Sequence, residues 1–176
     1  MRAKLTFMAV LLSSCVGCDQ VSKELAVDRL KGAPPLSFLA DSVRLTYAEN
    51  AGAFLGLGAD WPEFLRWGVF GVLSGLMMLA VAVHLVSRLR GVSSWRDLVP
   101  FAAMALIVAG GVGNWIDRIV RGGVVVDFMN LGIGPLRTGI FNVADVQIML
   151  GLAMLLWWRP QLRRDVQTSS VVPLRE

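Results

Sequence analysis

Apolar residues in this chain gather into long runs, and the charged residues lie between those runs or close to their ends. A helix that crosses a bilayer needs about 20 mainly apolar residues. Residues 98–116 form such a run without a single charge. Residues 64–85 form another, carrying only His84 and Arg66, the latter near enough to one end to snorkel. Residues 141–158 form a third, interrupted only by Asp145. The first run, 5–18, is shorter and spans only by continuing through Asp19 and Lys23 to about residue 27. The pattern therefore predicts a mainly α membrane protein with four transmembrane helices, at about 5–27, 64–85, 98–117 and 141–158.

The segments between these helices carry a different signal. Val43-Arg44-Leu45-Thr46-Tyr47 alternates as a short strand does, and Val124-Val125-Val126 between glycines reads the same way. Asn50 to Gly58 reads as loop, and Gly132, Gly134 and Pro135 read as turns. Segments 28–63 and 118–140 thus pair into a small sheet at the membrane surface. Residues 1–163 make one membrane domain, and 164–176 a flexible tail.

Composition agrees: the chain is 55% hydrophobic and only 17% charged, with a mean hydropathy of +0.61, beyond the balance of a soluble domain. The net charge of +4 comes from three short basic stretches. Arg2 and Lys4 precede the first run; Arg88, Arg90 and Arg96 separate the second from the third; Arg159, Arg163 and Arg164 follow the fourth. Four spans put all three stretches, and both termini, on the cytoplasmic side. Charges split among loops in this way speak against a nucleic-acid face.

The N-terminus admits rival readings. A basic start, an apolar run and Leu12-Ser13-Ser14-Cys15 resemble a lipoprotein signal, but the apolar runs downstream do not suit a lipoprotein. Cys15-Val16-Gly17-Cys18 has redox or metal spacing, yet inside an apolar helix, with a single His in the chain, it reads as small packing residues.

Ionisable groups at membrane depth are costly, so each is a candidate functional residue. Here they collect towards one side: Asp19 and Lys23 at i and i+4, then Asn114, Asp117 and Arg118, then Asp127, Asn142 and Asp145. The lone His84 lies at the other end of its span, which removes a Ser-His-acid set and weakens metal ligation. Ser22 and Lys23 point about 100° apart on a helix, which disfavours a Ser-Lys dyad. A pair of carboxylates sharing a proton survives: one activates water while the other polarises a carbonyl. Pairing of these acids with Lys23, Arg118 and Arg121 is the structural alternative, and it suits Asp19 and Asp117 better. The pattern itself does not choose which two acids react.

Four blocks resemble the lipoprotein signal peptidase (signal peptidase II) family of aspartyl peptidases. They are Asp19-Gln20-Val21-Ser22-Lys23; Asn50-Ala51-Gly52-Ala53-Phe54; Gly113-Asn114-Trp115-Ile116-Asp117-Arg118 running on to Val126-Asp127-Phe128; and Phe141-Asn142-Val143-Ala144-Asp145. The resemblance covers roughly residues 5–160. It implies four transmembrane helices with a small extracytoplasmic β-sheet cradle and a short periplasmic helix or flap. It implies an enzyme of the bacterial inner membrane that cleaves diacylglyceryl-modified prolipoproteins before the lipidated cysteine. Asp127 and Asp145 become the catalytic acids, with Asp19, Lys23, Asn50, Gly52, Asn114, Arg118 and Asn142 in support and no metal or cofactor. Membrane lipids and globomycin-type peptides are the other implied partners, nucleic acid is not one, and the implied state is a monomer. In that frame Asn114 and Asn142 hold the carboxylates, Asn50 and Phe54 lie on the substrate-facing loop, and Asp19 with Lys23 joins the first span to that loop. The stretch from Asp117 to Asp127 is one residue longer than the family pattern.

Two other classes remain in view. A small transporter would scatter its acids through the membrane depth and show inverted symmetry between its halves; this chain does neither. A structural scaffold leaves the clustered ionisable groups without a reason.

Overall fold

The computed structural model describes residues 2–53, 56–89, 91, 92, 94 and 96–169, with side chains as far as residue 158. Phe54, Arg90 and residues 170–176 of the expected tail lie outside the described residues, as do the side chains of Arg159, Arg163 and Arg164.

Among the described residues the elements run α1 (Arg2–Leu30), β1 (Leu36–Phe38), β2 (Val43–Asn50), α2 (Glu63–Leu89), α3 (Val99–Val120), β3 (Val125–Ile133), β4 (Leu136–Arg137) and α4 (Val143–Ser169). Three stretches are long and apolar enough to cross a membrane by length and composition: α1, α2, and α3 together with the turn of 3₁₀ helix before it (Arg96–Val120). In α4 the apolar part, Val143–Trp158, is shorter.

The helices are arranged apolar outside and polar inside. Val10, Val21, Val72, Leu76, Val83 and Leu156 stand exposed on their outer faces, while Asp19, Lys23, Asp117 and Asn142 are buried. This inverts the rule for soluble domains, as a hydrocarbon surrounding requires. α3 runs down the centre and packs most extensively on α4. Small residues make this possible: Ala103, Ala105, Ala109, Gly110 and Gly113 are buried along α3. A Cβ on Gly110 would collide with the Ala144 carbonyl, and one on Gly151 would lie 2.5 Å from the Ala103 carbonyl.

The four strands form one antiparallel sheet in the order β1-β2-β3-β4. Leu45 faces Met129 and Asn50 faces Val125, with a bulge at Thr46–Tyr47. Val126 and Phe128 press the sheet onto Ala26 and Leu30 at the end of α1. Beyond Met129 the sheet is amphipathic: Leu36, Phe38, Val43, Leu45, Leu131, Ile133 and Leu136 share one face, and Ser37, Arg44, Asn130 and Arg137 the other.

Three expectations are corrected in detail. Val124 is not in a strand: β3 starts at Val125 and runs much further, to Ile133. Gly122 and Gly123, with φ of +66° and +93°, turn the chain out of α3. Gly132 belongs to β3 rather than to a turn, because Arg137 crosses directly over it; a Cβ there would lie 2.5 Å from Arg137 Cγ. Asn50 is the last residue of β2 rather than loop, paired with Val125, and the described part of 51–62 forms turns closed by an Ala53–Leu57 bridge.

Gly110→Val is expected to separate α3 from α4 and lower stability by about 1–3 kcal/mol or more. Thermal unfolding in detergent measures this, and an unchanged midpoint would contradict the close α3–α4 contact.

Candidate active site

The motif Asn142-Val143-Ala144-Asp145 builds the start of α4. Asp145 N–H donates to Asn142 Oδ1 at 3.0 Å, and Asn142 N–H donates to Asp145 Oδ2 at 3.2 Å. This is a capping box, in which the cap and the third helical residue satisfy each other's backbone donors. It fixes Asp145 and leaves its Oδ1 to accept from Asn114 Nδ2 on α3, at 3.0 Å.

Asn142 also reaches the other acid. Its Nδ2 donates to Asp127 Oδ1 at 2.6 Å and lies 3.3 Å from the Val126 carbonyl. Asp127 Oδ2 accepts from Asn50 Nδ2 at 2.9 Å, while Asn50 Oδ1 takes the Gly52 N–H and closes the local turn. Gly52 is required there, because a Cβ would collide with the Leu57 carbonyl. One residue, Asn142, therefore bridges the two carboxyls, donating to Asp127 from its side-chain amide and to Asp145 from its backbone N–H. Asp127 is 3% exposed, and that burial pushes its carboxyl up to about 6. Neighbouring Asp145 adds to the rise, and the amides of Asn50 and Asn142 oppose it.

Behind the pair lies a buried ion cluster. Lys23 Nζ contacts Asp19 Oδ2 at 2.9 Å, Asp117 Oδ2 at 3.2 Å and Asn114 Oδ1 at 2.8 Å. Each carboxylate also accepts from backbone. Asp19 Oδ1 accepts from Ala144 N–H at 2.9 Å, and Asp117 Oδ2 from Val126 N–H at 3.0 Å. Each bond holds the residue immediately before one of the two aspartates of interest. Asp19 and Lys23 thus join α1 to α3 and α4, not to the Asn50 loop as expected. The loop is tied down by Arg118, whose NH2 donates to the Gly52 carbonyl at 2.7 Å and whose NH1 donates to the Asn114 carbonyl at 3.1 Å.

Asp145 opens on a groove of about 310 Å³ between α2, α3 and α4, and Asp127 lies enclosed beside it. Asp145, Asn114 and Arg118 line its polar end, and Met77, Val81 and Ile107 its apolar depth. Phe70 forms part of the wall, with the Arg118 guanidinium 5.6 Å from its ring centre and Trp61 stacked on the same ring. All nine sequence-selected residues fall in this one region, whereas His84 is exposed towards the far end of α2 and Cys15 and Cys18 are free thiols on α1. Sequence reasoning missed Gln20 and Phe70. Gln20 donates to Asp19 at 3.1 Å and to the Gly113 carbonyl at 3.1 Å, and its place inside the first motif block was the available signal. Phe70 is one apolar residue in an apolar helix and gave none. Among the described residues no group of His, Cys, Asp and Glu is arranged to hold a metal ion.

Apolar helices around a buried polar cluster, with a sheet clasped to one end, define an integral membrane protein of enzyme-like build. A solved bacterial membrane enzyme, determined in meso at 2.3 Å, has the same fold: TM-score 0.74 over 97% of this chain and 95% of that one, at 23% identity. The family model for signal peptidase (SPase) II matches residues 11–159. The chain is 34% identical over 163 residues to the lipoprotein signal peptidase of Chlorobium phaeobacteroides, covering 88% of this chain and 90% of that one. It is 31% identical over 153 residues to that of Streptococcus pneumoniae, covering 87% and 92%. The chain belongs to the signal peptidase II family, and so to the peptidases.

Two outcomes follow from the geometry. Lys23→Met strands Asp19 and Asp117 without their cation and is expected to cost about 3–5 kcal/mol, read as a fall in the unfolding midpoint; a neutral result would remove the cluster from its structural role. The second concerns Asp127, whose folded-state value lies above the unfolded 3.8. Its contribution to stability is fully present below about pH 4 and is lost as pH rises through about 6. Asp127→Asn is therefore expected to be more stable than the parent at about pH 8, by up to about 3 kcal/mol, with the advantage shrinking at about pH 4.5. A stability difference that does not vary with pH would contradict the raised value.

Proposed function

We propose that the chain is a membrane-embedded aspartyl endopeptidase that removes signal peptides from diacylglyceryl-modified prolipoproteins, cutting before the lipidated cysteine. Asp127 and Asp145 are the catalytic pair. The observation that carries this reading is the bridge through Asn142, which joins enclosed Asp127 to Asp145 at the polar end of an apolar groove. Family membership supplies the substrate class.

In this mechanism the pair holds one proton. One carboxylate takes a proton from a water as its oxygen attacks the scissile carbonyl carbon, and the other carboxyl gives its proton to the carbonyl oxygen. The tetrahedral intermediate collapses as the leaving amide nitrogen is protonated, the C–N bond breaks, and the pair regains its shared proton. A value of about 6 for Asp127 suits it to exchange a proton near neutral pH. Neither step calls for a metal.

Asn50, Asn114 and Asn142 orient the acids; Asp19, Lys23 and Arg118 fix the elements that carry them. Gly52 allows the loop to approach the substrate backbone, and the loop of 51–62 serves as the flap. The apolar depth of the groove receives lipid or signal-peptide side chains. The chain crosses the inner membrane four times, α4 being the fourth span, with both termini cytoplasmic and the sheet on the extracytoplasmic face. Residues 1–163 form the peptidase domain and 164–176 a cytoplasmic tail. It works as a monomer, and globomycin-type peptides inhibit it by occupying the groove.

Purified protein incubated with a diacylglyceryl-prolipoprotein is expected to release the signal peptide, and globomycin to block the release. Asp127→Asn and Asp145→Asn are each expected to reduce the rate at least about 100-fold while membrane insertion is unchanged. Near-normal cleavage by either variant would remove that residue from the pair.

A further inference from the structure

A second and larger groove, of about 650 Å³, lies along the outside of α2 and α3. Trp67 and Trp115 form its walls near one end, and Gly71 and Gly75 leave room between them. No charged side chain lines it. Trp115 spends its one polar hydrogen on the Gly71 carbonyl at 2.9 Å, so its ring offers only an apolar surface. That carbonyl belongs to a segment of π-helix, Trp67–Leu73. The groove runs along α3 from Val108 to Ile119, about 16 Å at the helical rise, a length that takes roughly a dozen methylenes in extended form.

At its outer end the groove meets a polar cleft through Trp67, which lines both. Glu63, Arg66, Arg118, Gly122 and Gly123 form the rest of this cleft, which has room for about 10 Å³, a single oxygen-sized group. Arg66 Nε and Arg118 Nε are both buried there without a hydrogen-bond partner among the described residues. Arg118 as a whole is only 8% exposed. Buried donors need acceptors, and two guanidinium groups here face one exposed carboxylate, Glu63, with which neither forms an ion pair.

We infer that groove and cleft together bind one anionic phospholipid, a phosphate oxygen entering between Arg66 and Arg118 while an acyl chain lies along Trp67 and Trp115. The chemistry is that of an interfacial anion site set above an apolar slot. Arg118 gives the site a consequence, since its other nitrogens hold the Gly52 and Asn114 carbonyls. A bound phosphate neutralises the guanidinium from the outside and keeps it seated against the loop.

The test reads lipid retention rather than cleavage, so it stands apart from the proposed activity. The full chain, purified in neutral detergent, is offered equal amounts of phosphatidylglycerol and phosphatidylcholine with matched acyl chains, and retained lipid is counted by native mass spectrometry. Phosphatidylglycerol is expected to be retained roughly fivefold or more over phosphatidylcholine. Arg66→Gln is expected to bring the ratio near one, Glu63→Gln to raise it, and Val72→Trp, which fills the groove, to reduce retention of both lipids. Equal retention by the parent protein overturns the site, as does an unchanged preference in Arg66→Gln. Displacement of the lipid by inorganic phosphate at equal concentration also overturns it, because it would reduce the site to a phosphate pocket without the groove. Should Arg66→Gln fail to fold, the Glu63→Gln ratio decides: no rise is the overturning result.

Discussion

A lysine ammonium sealed inside a helix bundle is the constraint around which this structure is arranged. Lys23 is 0% exposed and spends its three protons on Asp19, Asp117 and Asn114. Taking such a charge out of water is expensive, and the attraction of its partners repays that only when every remaining lone pair and proton is also satisfied. The chain meets this condition by extending each acceptor to a further group: Asp19 to the Ala144 N–H, Asp117 to the Val126 N–H, Asn114 to Asp145. The cluster therefore contributes little net stability compared with an apolar core of the same size, and its value is positional. It specifies where α1, α3, β3 and α4 meet, and it does so at the backbone of the residues preceding Asp127 and Asp145.

How much of this could be read in the sequence depended on the range of the interaction. Hydropathy over twenty residues located the helices, because a bilayer imposes that length regardless of neighbours. The i, i+4 placing of Asp19 and Lys23 predicted that they face each other, because helix geometry is local. Which other elements they touch was not legible, because it depends on how α1 rotates against α3 and α4. The small-residue stripe that permits that packing looks like ordinary apolar sequence. The strands were under-read for a related reason. Val125 to Ile133 contains Asp127, Asn130 and Gly132, which break any simple alternation, and the strand exists because β2 and β4 supply partners. The choice of Asp127 and Asp145 came from resemblance, and geometry supplies a physical companion to it: these are the two acids that Asn142 joins, whereas Asp19 and Asp117 are engaged by Lys23.

The two proposed catalytic carboxyls sit in unequal surroundings, and this inequality is chemically useful. Asp127 is enclosed, with one amide on each oxygen. Asp145 is half-buried, lines the groove and forms half of a capping box. Asp145 is the acid that lines the groove, so a substrate lying there meets Asp145 first. Neither acid sits on a mobile segment: one is at the first turn of a helix and the other inside a sheet. The turn after β2 is tied to α3 by Arg118, which donates to the Gly52 carbonyl. Both acids are thus set in regular structure, where Asn142 at the start of α4 holds the two at once.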